Sequence, residues 1–156
     1  MVVGIDDFIQ KALGRIERVS VPAKGQKVKQ GEPVITIQHG GKVLSLVAPV
    51  SGTVYAINTD ALDNPALIME NPFEEGWLFM VEPEQLASNI SVLAIAENAF
   101  SWLKQETVRF REFLASNGMQ PAVAGETMLD GGVPVSGSLD FLDESGLKKF
   151  EEEFLR

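Results

Sequence analysis

The sequence predicts an α+β protein, mainly β with flanking helices. Three observations point there. Up to about residue 82, short apolar and β-branched runs alternate with Gly- and Pro-containing turns. Gly40-Gly41 stands between two such runs, where a tight hairpin turn would sit. Beyond Pro83, apolar residues recur at helical spacing instead.

Taken in order, Asp6 or Asp7 is placed to cap a short helix carrying Phe8, Ile9, Ala12 and Leu13, closed by Gly14. From Glu17 to Val21 polar and apolar residues alternate, which predicts a half-buried strand. Lys24 to Gly31 reads as a polar turn region, with Gly25 and Gly31 free to take positive φ. Val34–Ile37 and Val43–Val47 flank the tip segment Gln38-His39-Gly40-Gly41-Lys42. Thr53–Ile57 and Trp77–Val81 are two further strands, with Trp77 expected in the core. Pro22-x-x-Gly25 recurs as Pro49-x-x-Gly52, a weak internal repeat that leaves Asn58 to Glu75 as an insertion in its second half.

Past Pro83, Glu84 to Asn89 predicts one or two helical turns. A long helix is expected from about Glu97 to Ser116. Phe100, Leu103, Thr107, Phe110 and Leu114 form one stripe, Trp102, Val108 and Phe113 widen it, and Asn117-Gly118 ends it. From Met119, Pro and Gly punctuate a long loop whose apolar groups, around Thr127-Met128-Leu129 and Val133, favour packing against the body. A last helix, roughly Asp143 to Leu155, aligns Leu147, Phe150 and Phe154 on one face. The expected organisation is a β domain over residues 1–86, a helical segment over 87–118 packing on it, and a loop plus terminal helix over 119–156.

Composition narrows the function. With 156 residues and 45% hydrophobic content the chain can form one core of ordinary size. A net charge of −9 argues against nucleic acid and anionic membrane as partners and suits a soluble protein that docks on basic ones. There is no cysteine and one histidine, so a disulfide, a thiolate metal site, a cysteine nucleophile and a histidine cluster are not expected. No apolar run approaches membrane-spanning length and the opening residues show no signal-peptide pattern, so a cytoplasmic protein is expected. His39 reads as an exposed surface residue. Lys24, Lys27 and Lys29 read as a solvated turn and strand face, and Asp140, Asp143 and Glu144 as a helix N-terminus rather than a metal site. No catalytic constellation, P-loop, dinucleotide fingerprint or nucleophile elbow is present, and no metal site is nominated.

Several blocks in order carry a more specific message. Val3-Gly4-Ile5-Asp6-Asp7-Phe8 opens the chain; Leu13-Gly14, Val21-Pro22, Gly25 and Gly31-x-Pro33 follow. Ala48-Pro49-Val50-Ser51-Gly52 comes next, then Asp63-Asn64-Pro65-x-Leu67, Asn71-Pro72-Phe73 and Glu75-Gly76-Trp77-Leu78. Over residues 3 to about 107 these resemble the H protein of the glycine cleavage system, the lipoyl-carrying member of the biotinyl/lipoyl family. The resemblance implies a flattened β-barrel sandwich of two half-barrels, and a non-catalytic carrier. It also implies lipoate on one tip lysine, which passes an aminomethyl group among the other glycine cleavage components.

The tip departs from that pattern. Counted back from Pro49, the position of the lipoyl lysine is Gly41, and a lysine stands one place later, at Lys42. Gln38 replaces the acid three positions before, Arg15 the Asp after Leu-Gly, and Met69 an Asn. The family also has a Trp- and Tyr-rich hairpin ahead of Gly-Ile, where this chain opens; an unpaired sheet edge and hence a homodimer are expected. The reading is a non-lipoylated, H-protein-like binding or assembly protein with no cofactor and with protein partners. The alternative is a working aminomethyl carrier with lipoate on Lys42 and glycine cleavage components as partners. Biotin is disfavoured, because its Met-Lys-Met context is absent at the tip.

Overall fold

The computed structural model describes residues 1–90, 93, 97–118 and 136–155. The chain opens with β1 (Val2–Val3) and α1 (Asp7–Leu13), followed by β2 (Arg18–Ser20), β3 (Lys27–Val28), β4 (Pro33–His39), β5 (Lys42–Val47) and β6 (Gly52–Ile57). Then come α2 (Thr59–Asp63), α3 (Ala66–Glu70), β7 (Phe79–Pro83), α4 (Leu86–Ile90) and α5 (Glu97–Ser116). A 3-10 turn (Ser138–Phe141) and α6 (Glu144–Phe154) close the described chain. The strands form two antiparallel sheets, ordered β1-β7-β6-β3 and β2-β4-β5.

The period-two pattern of β4 sets the inner face of the smaller sheet: Ile35, Ile37 and His39 are buried, whereas Gln38 is exposed. Ile37 lies opposite Leu44 in β5 and Val19 in β2, all three buried. From the larger sheet Val54, Phe79 and Val81 are fully buried, and side chains of both sheets join one hydrophobic core. Glycine at position 52 is a packing requirement. A Cβ there would stand 2.2 Å from the Glu82 carbonyl oxygen across the β6–β7 ladder.

Helix α1 starts where the sequence predicts. The Asp6 carboxylate accepts from the Ile9 amide, and Gly14 at φ +65 closes the helix. Burial pushes the Asp6 carboxyl upward from its ordinary range, partly offset by the Ile9 and Phe8 amides. Helix α5 presents Thr107, Phe110, Phe113 and Leu114 inward as the stripe requires. Trp102 and Val108, expected to widen that stripe, are instead exposed. Gly118 at φ +92 follows the helix end. Helix α6 follows the Asp143 cap, whose carboxylate accepts from the Gly146 amide.

Aromatic rings weld the three helices together. The Phe110 centroid lies 5.2 Å from Phe8, 5.4 Å from Phe150 and 5.8 Å from Phe154. The terminal helix is therefore part of the body. The loop expected from Met119 lies outside the described residues up to position 135.

Three local readings needed correction. Lys27–Val28, expected within a polar turn region, is a short strand because Val28 is drawn into the core opposite Gly52. The last strand begins at Phe79 rather than Trp77, which is only half-buried. The paired glycines of the apparent repeat do different work: Gly25 turns the chain at φ +86, whereas Gly52 sits inside β6.

Candidate functional site: the hairpin tip

The β4–β5 hairpin closes with two central residues, Gly40 at φ +51 and Gly41 at φ +73. Positive φ at both positions is what a twisted two-residue hairpin turn demands, so the two glycines are its local cause. His39 and Lys42 form the first pair of the ladder. Residues directly opposite share a face, so Lys42 points to the side of Ile37, Leu44 and His39. Gly41 is the residue at the turn; Lys42 belongs to the strand.

The C-terminal segment lies over that face. The Lys42 Nζ donates to the carbonyl oxygens of Leu142 at 2.5 Å, Asp140 at 2.7 Å and Leu139 at 3.5 Å. These carbonyls end the 3-10 turn, where intrahelical partners run out and partial negative charge collects. One ammonium meets three carbonyls, of which that of Leu139 also accepts from the Leu142 amide at 3.2 Å.

His39, expected at the surface, is completely buried beneath this cover. Its Nδ1 lies 3.3 Å from Asp140 Oδ1. Its Nε2 and the Ser138 hydroxyl are buried without a hydrogen-bond partner among the described residues. A signal for His39 was legible in the sequence: it extends the Ile35, Ile37 alternation by one more inward step.

Two further contacts anchor the cover. Glu151 in α6 accepts from the Ser45 amide at 2.6 Å, so a carboxylate occupies a ladder position on the free edge of β5. The Gly137 amide donates to the Lys11 carbonyl at 2.9 Å, and a Cβ on Gly14 would stand 2.8 Å from the Gly137 Cα. Backbone meets backbone there, which leaves room only for glycine.

Asp143 caps a helix as expected, whereas Asp140 serves His39 instead. Among the described residues no three His, Cys, Asp or Glu side chains are placed to hold a metal ion, and no helix is long and apolar enough to cross a membrane.

A hairpin tip on paired antiparallel sheets, with the sequence blocks above, can be set against known proteins. A family model described as glycine cleavage H-protein matches residues 1–106. This chain belongs to the glycine cleavage H-protein family. A probable glycine cleavage system H protein of Aeropyrum pernix is 44% identical over 82 residues, 53% of this chain and 57% of that protein. The glycine cleavage system H protein of Bacillus subtilis is 39% identical over 95 residues, 61% of this chain and 74% of that protein. A crystal structure of a glycine cleavage system H protein from Mycobacterium marinum superposes with a TM-score of 0.51 at 37% identity. It covers 52% of this chain and 64% of that one.

The fold and family expectations hold: this is an α+β member of the glycine cleavage H-protein family. The family match ends at residue 106, ahead of the C-terminal cover. The tip fits lipoate poorly. Attachment needs a free amine at the apex of the turn, and the apex is Gly41. The neighbouring amine, on Lys42, has all its protons directed at carbonyls of the C-terminal segment.

Proposed function

We propose that this chain is a cytoplasmic, non-lipoylated binding or assembly protein of the glycine cleavage H-protein family, which keeps the carrier body and has given up the swinging arm. Residues 1–86 form the carrier-type body; 87–118 and 119–156 are accessory segments, and residues 139–142 of the last lie at the tip. The reading rests on one observation, the cage of three carbonyls around Lys42 Nζ. Acylating that nitrogen would remove its charge and leave one N–H for three acceptors. Stranding a half-buried acceptor such as the Leu142 carbonyl costs about 1–3 kcal/mol.

The test is intact mass after co-expression with a lipoate ligase and added lipoate. The expected mass is that of the unmodified chain. A lipoyl adduct on Lys42, lost in Lys42→Ala, overturns the proposal and establishes an aminomethyl carrier with glycine cleavage components as partners.

A further inference from the structure

The larger sheet and the turn that precedes β7 expose a run of aromatic and aliphatic side chains. Phe73 is 75% exposed, Val2 57% and Tyr55 46%. They are contiguous. Val2 pairs with Met80 across β1–β7, and the Tyr55 hydroxyl reaches the Met80 sulfur at 3.3 Å. Val2, Phe73 and Trp77 line one groove of about 320 Å³. Interface centres are enriched in Tyr, Trp, Phe and Met, and scattered exposure would not place them side by side.

The surroundings are mainly acidic; the cations beside the strip are Lys27, paired with Glu84, and the Met1 amino group, held by the Val81 carbonyl oxygen. Every charged residue between Lys42 and Lys104 is acidic. Glu70, Glu74 and Glu75 flank Phe73 in sequence, and Asp6 lines the same groove. Glu82 lies on β7 two residues from Met80, opposite Thr53. Among the described residues none of these five carboxylates has a cation within ion-pairing distance.

We infer that the Tyr55–Met80–Val2–Phe73 strip is a docking surface for a protein partner that presents an apolar socket ringed by Lys and Arg, with Phe73 as the inserted anchor. An excess of carboxylates over cations beside an apolar centre steers a basic surface inward and repels phosphate-bearing polymers and anionic lipid. The single aromatic at its tip supplies the buried contact on which such interfaces concentrate their energy. This inference rests on reading the chain as a binding protein, but not on the state of Lys42: a lipoyl adduct would sink the non-lipoylated reading and leave the strip untouched.

The experiment places p-benzoylphenylalanine at position 73 of the full chain in the cells that make it, with position 141, also an exposed Phe, as the comparator. The captured protein is identified by mass spectrometry, purified and titrated against the unlabelled chain. The expected result is an adduct specific to position 73 on a basic surface of a different protein. Its affinity should fall at least about tenfold in Phe73→Ser and about tenfold between low and moderate salt, with Phe73→Ser still folded by circular dichroism. No adduct, an adduct equally strong from position 141, an adduct within this chain or to a second copy, or binding indifferent to Phe73→Ser or to salt would each overturn it.

Discussion

Lys42 and Leu142 meet across 100 residues of chain, with Nζ 2.5 Å from the carbonyl oxygen. This contact ties the first ladder pair of the hairpin to the end of a 3-10 turn. It makes the hairpin tip a latch for the C-terminal segment. Lys42→Met keeps the stem and removes the ammonium. A hydrogen bond from a charged group contributes about 1.5–3 kcal/mol, and the variant should lose stability of that order in urea denaturation. Amide hydrogen exchange should accelerate over residues 138–142 before it does in β4 or β5.

Phe110 holds the cover from the other side, through Phe8, Phe150 and Phe154. Phe110→Ala should cost about 3–5 kcal/mol. Because the ring joins α1, α5 and α6, the loss should appear in thermal unfolding as destabilisation of the whole body and not only of the last helix.

Gly41 offers a way to ask whether only the side chain is missing. No heavy atom lies within 4 Å of a Cβ built there, so a long side chain fits, but φ +73 is left-handed. Gly41→Lys should fold with a penalty of about 1–2 kcal/mol. It should gain a lipoyl increment with ligase and lipoate, where the unaltered chain gains none. Failure of both Gly41→Lys and Gly41→Lys with Gln38→Glu to accept lipoate would mean that the cover itself bars the ligase.

Asp6 predicts a pH dependence. Burial raises its carboxyl above the ordinary 3.8, the Ile9 and Phe8 amides lowering it in part. A carboxyl raised on folding adds stability that is complete below its unfolded value and lost as pH rises through the folded one. Asn also caps helices and cannot ionise. The stability of the wild type relative to Asp6→Asn should therefore decline as pH climbs from about 4, read from urea midpoints. A relative stability that instead rises over that interval would contradict the burial effect.

Gly52 tests the close approach of β6 and β7. With a Cβ 2.2 Å from the Glu82 carbonyl, Gly52→Ala must displace backbone. Overpacking of this kind costs about 1–3 kcal/mol. Conversely, Gly25→Ala meets no atoms within 4 Å, so its cost should be that of φ +86 alone.

Much of this molecule was legible in its residues because it depends on local chemistry. Asp6 and Gly14 bound α1, the strand alternation from Ile35 to Ile37 sets the core face, and Gly40-Gly41 demands the hairpin. Each follows from capping, period-two burial or positive φ, which act within a few residues. The family blocks, and glycine at both turn positions with a lysine after them, are likewise read directly from the residues. Distance along the chain hid the rest. That His39 is buried, that Lys42 is spoken for and that Glu151 occupies the β5 edge all depend on a segment about a hundred residues later folding back. So does the exposure of Trp102 and Val108, since hydropathy marks them as apolar but only the packing of α5 against α1 and α6 decides which side of the helix is covered. The sequence by itself determined a carrier-type body and a tip without its apical lysine. Tertiary structure decided what that tip touches, because an ammonium selects partners by proximity in space and not by position in the chain.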